Sequence, residues 1–136
     1  MTDREFMNAE AEMVTVSGRT IRLTGNLLDN DYDIEDIAHH LSHLCRFSGA
    51  VRHFYSVAEH LYMVSHWVDP WYAWEAFGHD WNEAFTGDLI NPVKRIPAVR
   101  KVWDEIEGNL QSDICSRYRM PYPMSVPVKQ MDEWAC

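Results

Sequence analysis

A histidine and two acids in the middle of the chain have the types and spacing of a metal-dependent hydrolytic site. His79 and Asp80 are adjacent, and Glu83 follows at i+4 from the histidine and i+3 from the aspartate. In a helix these offsets place the glutamate on the face that the doublet shares. Imidazole and carboxylate together suit a borderline divalent metal, and a further carboxylate suits proton transfer during hydrolysis. The pattern predicts a metal site with an acid-base group beside it.

The surrounding sequence decides between this site and a solvated helix face, because a His-Asp pair often occurs by chance. Ser56 and Glu59 form a capping box at the start of a predicted helix, and His60 lies in its first turn. Since the cap accounts for Glu59, His60 is free to face the neighbouring helix. Asp132, near the end of the sequence, could supply a further oxygen ligand.

The predicted elements that position these residues are helices. Apolar residues recur at helical spacing between capping residues, prolines and glycines, which mark where helices start and stop. The predicted helices are 33–48, 56–68, 71–85, one that begins at Pro97, and a short one that begins at Pro127. The β-branched residues on both sides of Gly18 predict a short hairpin, and proline makes residues 88–94 a loop. We expect a mostly α fold of about five helices with a short N-terminal β-hairpin.

Composition limits the possible partners. A chain of 136 residues fits a single domain, with residues 1–12 as a flexible tail. The formal net charge of -9 disfavours a nucleic-acid polymer or an anionic membrane as partner. No apolar run approaches the ~20 residues of a membrane span, the acidic N-terminus excludes a signal peptide, and the three cysteines form no pairing motif. We therefore expect a cytoplasmic protein.

In these features the chain resembles the HD-domain metal-dependent phosphohydrolases. Within that superfamily it is most similar to the bacterial 5′-deoxynucleotidases and their phage relatives, which include a deoxyadenosine-triphosphate triphosphohydrolase. Three motifs carry the resemblance, which spans residues 33–132. They are SVAEHL at 56–61, the pattern H-D-x-x-E-x-x-x-G-D at 79–88 with its lysine at Lys94, and V-K-x-x-D at 128–132.

The resemblance implies a metal-dependent phosphohydrolase that acts on deoxynucleotides, as a monophosphate 5′-nucleotidase or a triphosphohydrolase. It implies a divalent ion (Co²⁺, Mn²⁺, Zn²⁺ or Mg²⁺) held by His60, His79, Asp80 and Asp132. Asp80 and Glu83 would be catalytic, with Glu83 in acid-base or water-orienting work. The alternative from a different class is a catalytically inactive nucleotide-binding or scaffold protein.

The resemblance also implies a substrate site. Arg46 matches an arginine that reaches the substrate phosphate, and Lys94 is a second phosphate ligand or a solvated loop lysine. Asp88 would accept a hydrogen bond from the 3′-hydroxyl of a deoxyribose, and Phe47 would pack against the sugar. A guanidinium binds phosphate oxygens in a bidentate manner, and an aromatic wall can leave no space for a 2′-hydroxyl.

Several positions depart from the family pattern. Trp81 follows the doublet where a small residue is usual, and we expect it to crowd the helix and reshape the pocket floor. Ile90 replaces a proline, and Leu61 replaces a serine. Only two residues follow Trp134, so Asp132 should lie on a frayed terminus unless a partner subunit braces it. The family often forms dimers or larger rings, so we expect a homo-oligomer, with the six tryptophans in core and subunit contacts.

Other sites and families fit the sequence less well. His39, His40 and His43 have a zinc-compatible spacing but no cysteine or carboxylate partner. Alarmone hydrolases carry an acid after the motif glutamate, where this chain has Ala84. The Gly-Tyr-Pro signature of cyclic-dinucleotide phosphodiesterases is missing. These comparisons favour the deoxynucleotide branch.

Overall fold

A computed structural model of the protein describes residues 10–135, and the fold is mostly α. Helices are α1 (Ile34–His43), α2 (Val57–Trp67), α3 (Ala73–Gly78), α4 (Glu83–Thr86), α5 (Asn91–Lys94), α6 (Pro97–Tyr118) and α7 (Val126–Trp134). Strands β1 (Glu12–Val14) and β2 (Thr20–Arg22) form an antiparallel pair. The predicted fold class and hairpin are confirmed. Residues 1–9, most of the predicted tail, lie outside the described residues. No helix between residues 10 and 135 is long and apolar enough to cross a membrane.

The hairpin is fastened to α1 by a buried acid. Gly18 turns the chain with φ +92°, and Ile21 on β2 is fully buried. The hydroxyls of Thr15 and Ser17 donate to Oδ2 of Asp36 at 2.7 and 2.6 Å. Two strands alone are marginally stable, so these bonds and the buried isoleucine hold the hairpin in place.

Helix α1 ends earlier than predicted. It stops at His43, and residues 46–49 form a 3-10 turn in which Phe47 and Ser48 have positive φ. The cause is a short strand-like bridge between residues 45 and 56. In it the Arg46 amide donates to Tyr55 O at 2.8 Å, and the Val57 amide donates to Leu44 O at 2.9 Å. This pairing draws the chain out of helical geometry and places residues 46–47 beside the start of α2.

The predicted helix 71–85 is broken at its centre. A 3-10 turn covers Pro70–Tyr72, α3 follows, and residues 79–82 form a turn before α4. The predicted loop 88–94 is also only partly a loop. It contains α5, whose first turn carries Pro92, a position where the missing amide hydrogen does no harm.

Trp81 and Trp71 lie in opposite environments, one in the core and one at the surface. Trp81 is 2% exposed and packs edge to face against Trp74, Phe77 and Tyr118, with ring centroids 5.2–5.8 Å apart. It therefore lies in the core and does not reshape a pocket floor. Trp71, by contrast, is 86% exposed.

Candidate functional site

Four side chains with metal-ligating groups meet at one point. His60 comes from α2, Asp132 from α7, and His79 and Asp80 from the turn that breaks the predicted helix. One donor atom of each residue lies within 4.8 Å of the others. Both histidines are buried, whereas the two aspartates are partly exposed. The structure thus assembles all four residues that the resemblance implied as ligands.

The distances show that the donors converge on shared atoms. His60 Nε2 and His79 Nε2 lie 2.8 and 3.1 Å from the same oxygen, Oδ1 of Asp132. His79 Nε2 is also 3.2 Å from Oδ2 of Asp80. Imidazole nitrogens and carboxylate oxygens are donors that first-row divalent metals accept. The cluster could hold such a metal.

The tautomer of His79 is determined by its surroundings. Its Nδ1 lies 2.5 Å from the carbonyl oxygen of Ala76, and because a carbonyl only accepts, Nδ1 must carry a hydrogen. Its Nε2 is therefore the atom directed at the carboxylates. A ring nitrogen bonded to a backbone carbonyl is the usual support of a metal-binding histidine. His60 differs, since its Nδ1 is buried and has no hydrogen-bond partner among residues 10–135.

Opposite charges in the cluster shift each other's protonation. Burial disfavours the charged ring of His79, but the carboxylates of Asp80 and Asp132 outweigh it and hold the pKa of His79 well above its usual value. Burial alone would raise the pKa of Asp132, yet hydrogen bonds from His60 and His79 bring that pKa far below its usual value. Both carboxylates are therefore ionised next to the protonated ring of His79. A bound metal would replace the proton on Nε2 of that ring.

Asp132 is better supported than expected for a residue near the end of the sequence. Helix α7 continues to Trp134, and Val128 on its inner face is fully buried beside Val64 and Ala76. The rings of Trp134 and Trp67 pack edge to face with centroids 5.4 Å apart. Asp132 therefore lies inside a helix that Val128 packs against α2 and α3, and Trp134 adds a ring contact in its last turn.

A cleft of about 390 Å³ opens over the cluster, a size within the usual range of ligand pockets. The aspartates and His60 line it, whereas His79 contacts both aspartates without lining the cleft. Its walls come from the turn at residues 46–47, from α4, and from residues 88–94. Every substrate residue implied by the resemblance lines this cleft, namely Arg46, Phe47, Asp88 and Lys94, as does Glu83.

Glu83 is a buried acid in this cleft. Burial, together with the negative charges of Asp80 and Asp88, raises its pKa well above the usual value. Burial likewise raises the pKa of Asp88, although Lys94 and Arg46 oppose the shift. A carboxyl group with a raised pKa can exchange a proton near neutral pH.

Two cations face these acids. Arg46 is buried, with its guanidinium carbon 4.6 Å from the ring centroid of Phe47 and 5.1 Å from that of Tyr55. Lys94 Nζ lies 3.4 Å from Glu107 Oε1 on α6. Sequence reasoning missed Glu107, although the residue carries a signal. It lies at i+4 from Trp103 and i−3 from Leu110, on the apolar face of the helix.

The other histidine group does not form a second metal site. His40 Nδ1 donates to Ala84 O at 2.7 Å, and its Nε2 accepts from the Val16 amide at 3.1 Å. Both nitrogens of that ring are therefore occupied. The rings of His39 and His43 stack on each other with centroids 4.1 Å apart.

Two known proteins are similar to this chain in sequence, and neither has a name that states an activity. The chain is 39% identical over 104 residues to the uncharacterised protein YfdR of Escherichia coli K12, covering 76% of this chain and 56% of that protein. It is 32% identical over 127 residues to an uncharacterised protein of Rhodobacter capsulatus, covering 85% of this chain and 62% of the relative. The chain thus spans less than two thirds of each relative's length. No protein-family profile matches it.

Proposed function

We propose that this protein is a metal-dependent phosphohydrolase that acts on deoxynucleotides. One observation carries the proposal. Three members of the metal-compatible cluster, His60, Asp80 and Asp132, line a cleft that also holds two cations and a buried acid, and His79 contacts both aspartates. A solvated helix face with an incidental histidine would not bury both imidazoles or direct them at one carboxylate oxygen.

The residues of the cleft have separate roles in phosphoryl transfer. A divalent ion of the Co²⁺, Mn²⁺, Zn²⁺ or Mg²⁺ type, when bound, would polarise a phosphoryl oxygen and lower the pKa of water. Arg46 and Lys94 bind phosphate oxygens and offset the charge that develops in the transition state. Glu83, with its raised pKa, moves the proton between water and the departing group.

Two residues at the opening of the cleft select the sugar. Phe47 is about half exposed, and its ring forms a wall that a 2′-hydroxyl would meet. Asp88 lies near enough to Arg46 for their charges to interact, and its carboxylate accepts a hydrogen bond from a 3′-hydroxyl. A site that leaves a hydroxyl without space or a partner disfavours the ribonucleotide.

The test is a panel of metals and nucleotides. Protein stripped with a chelator is reloaded with each of the four ions and incubated with deoxy- and ribonucleoside mono- and triphosphates. Release of phosphate, pyrophosphate or triphosphate is measured. We expect hydrolysis of a deoxynucleotide with at least one ion. If none is hydrolysed under any condition, the enzyme proposal fails, and nucleotide binding without hydrolysis would instead favour the inactive binding protein.

Matched variants connect any activity to this cleft. Asp80→Asn should abolish it, whereas His39→Gln, on the exposed face of α1, should leave it unchanged. Phe47→Ala should reduce the preference for deoxy- over ribonucleotides by about tenfold or more, as expected when a wall of the sugar pocket is removed. Activity that survives Asp80→Asn would come from another site or a contaminant.

A further inference from the structure

A side-chain amide replaces one rung of the helix at the His-Asp doublet. In a continuous helix the amide of Asn82 would donate to the carbonyl of Gly78, four residues earlier. Here the Asn82 amide donates to Oε1 of Gln111 at 2.9 Å, and Nε2 of Gln111 donates to the Gly78 carbonyl at 2.8 Å. Gln111, from α6, is thus inserted between the two groups that a regular helix would join.

Both bonds are buried, which makes them costly to lose. Gln111 is 6% exposed and Asn82 is 4% exposed. Nε2 of Gln111 also lies 3.3 Å from the sulfur of Cys115. A buried amide hydrogen without an acceptor is strongly unfavourable, so the Asn82 amide needs a partner at this position. The insertion therefore satisfies the backbone at the break, and a side chain inserted into the ladder is a known cause of helix kinks.

Beside the inserted amide the backbone departs from a regular α-helix, and the side chains of His79 and Asp80 lie close together. Between α3 and α4 the backbone makes i to i+3 bonds, from the Trp81 amide to Gly78 O at 3.2 Å and from the Glu83 amide to Asp80 O at 2.9 Å. Neighbours on a regular helix point about 100° apart. Across this turn, however, His79 Nε2 and Asp80 Oδ2 are only 3.2 Å apart.

We propose that Gln111 is a positioning residue for the metal centre. Its amide keeps the turn at residues 79–82 open, so that His79 and Asp80 face the same point. Without it, the Asn82 amide would bond to Gly78 O, and the restored helix would turn one of the two ligands away. The expected effect on metal binding rests on the proposed function. The insertion of the Gln111 amide does not, because its hydrogen bonds involve no metal.

The first test is metal affinity. Gln111→Leu removes both bonds, and Gln111→Glu keeps the shape and an acceptor but, when ionised, cannot donate to Gly78 O. Ile114→Val, one turn further along α6, loses buried volume without touching the insertion. We expect both Gln111 variants to bind Co²⁺ about 10- to 100-fold more weakly than the wild type, with an altered visible spectrum. Ile114→Val should stay within about twofold although its melting temperature falls.

The second test needs no metal. Scalar couplings across hydrogen bonds, measured by NMR on the metal-stripped wild type, should connect the Asn82 amide nitrogen to the side-chain carbonyl carbon of Gln111. A coupling from Asn82 to the Gly78 carbonyl carbon would overturn the insertion. Wild-type Co²⁺ affinity and spectrum in Gln111→Leu would overturn the positioning role. If wild-type protein binds no metal at all, the proposed function fails, while the coupling still decides whether the amide is inserted.

Discussion

The Nε2 atom of His60 lies 2.8 Å from Oδ1 of Asp132, although the two residues are 72 positions apart in the chain. The histidine is buried on α2, and the side chain of the aspartate is one quarter exposed on α7. This contact completes the group of four donors, because it places Asp132 of α7 beside His60 of α2 and beside His79 and Asp80. The position of α7 thus determines whether the fourth donor is present.

Asp132→Asn should therefore weaken metal binding more than about 100-fold. Replacing a residue that only hydrogen-bonds to a metal ligand usually costs less, about 10- to 100-fold. The amide keeps the shape of the carboxylate but removes its charge and one of its acceptor oxygens. It should also destabilise the metal-free protein by about 1–2 kcal/mol, because hydrogen bonds to a charged group are lost. Titration with Co²⁺ and chemical denaturation measure the two effects. Glu133→Gln, next in sequence and exposed, is the control and should change neither.

His79 should make the metal-free protein less stable at high pH. Its pKa is raised in the folded state, chiefly by the neighbouring carboxylates acting against burial. The folded protein thus holds this proton more tightly than the unfolded chain does. The stabilisation is complete below about pH 6.5, the usual pKa of histidine, and is lost as the pH rises through the raised value.

Denaturation of the metal-stripped protein between pH 6 and pH 10 measures this dependence. The difference in unfolding free energy between wild type and His79→Gln should shrink as the pH rises, and a difference that grows would contradict the assignment. Metal binding should have the opposite dependence, since it requires the neutral ring. Below the raised pKa of His79, the apparent affinity for Co²⁺ should increase with pH.

Glu83→Gln should separate proton transfer from metal binding. Glu83 is buried in the cleft but is not one of the four clustered donors, so metal content should not change. The amide cannot exchange a proton, and loss of a general acid or base lowers turnover by about 10²- to 10⁴-fold. Hydrolysis rate and metal content are measured on the same preparation. Wild-type turnover in this variant would remove Glu83 from the reaction, and loss of metal would assign it to the metal centre.

The features that sequence predicted well depend on local signals. Ser56 caps α2 as the capping box indicates, with its hydroxyl oxygen accepting from the Glu59 amide at 3.0 Å. Pro97 begins α6, and Gly18 turns the hairpin. The substrate residues that the family resemblance implies, Arg46, Phe47, Asp88 and Lys94, line one cleft of the structure, and their roles stay predictions.

The features that sequence missed depend on distant contacts. The helix breaks at residues 79–82, where Gln111, 29 positions from Asn82, occupies the backbone groups. The local sequence shows only the apolar pattern of a helix, and that pattern continues through residues 79–82. The partner of Lys94 is likewise an acid on another helix, Glu107. Each contact requires knowledge of how α6 packs, and local propensity does not supply it.

The left-handed turn beside the cleft should be measurable as strain. Ser48 has φ 52° and ψ 30°, a conformation that costs a residue with a Cβ about 1–2 kcal/mol. The Ala50 amide, which donates to Phe47 O at 3.0 Å, and the pairing of Arg46 with Tyr55 hold the turn in place. Ser48→Gly should therefore raise the free energy of unfolding by about 0.5–1 kcal/mol. Ser42→Gly, in helix α1, is the matched control and should lower it by about 0.5 kcal/mol. Chemical denaturation compares the two variants, and a loss of stability in both would show that the turn is not strained.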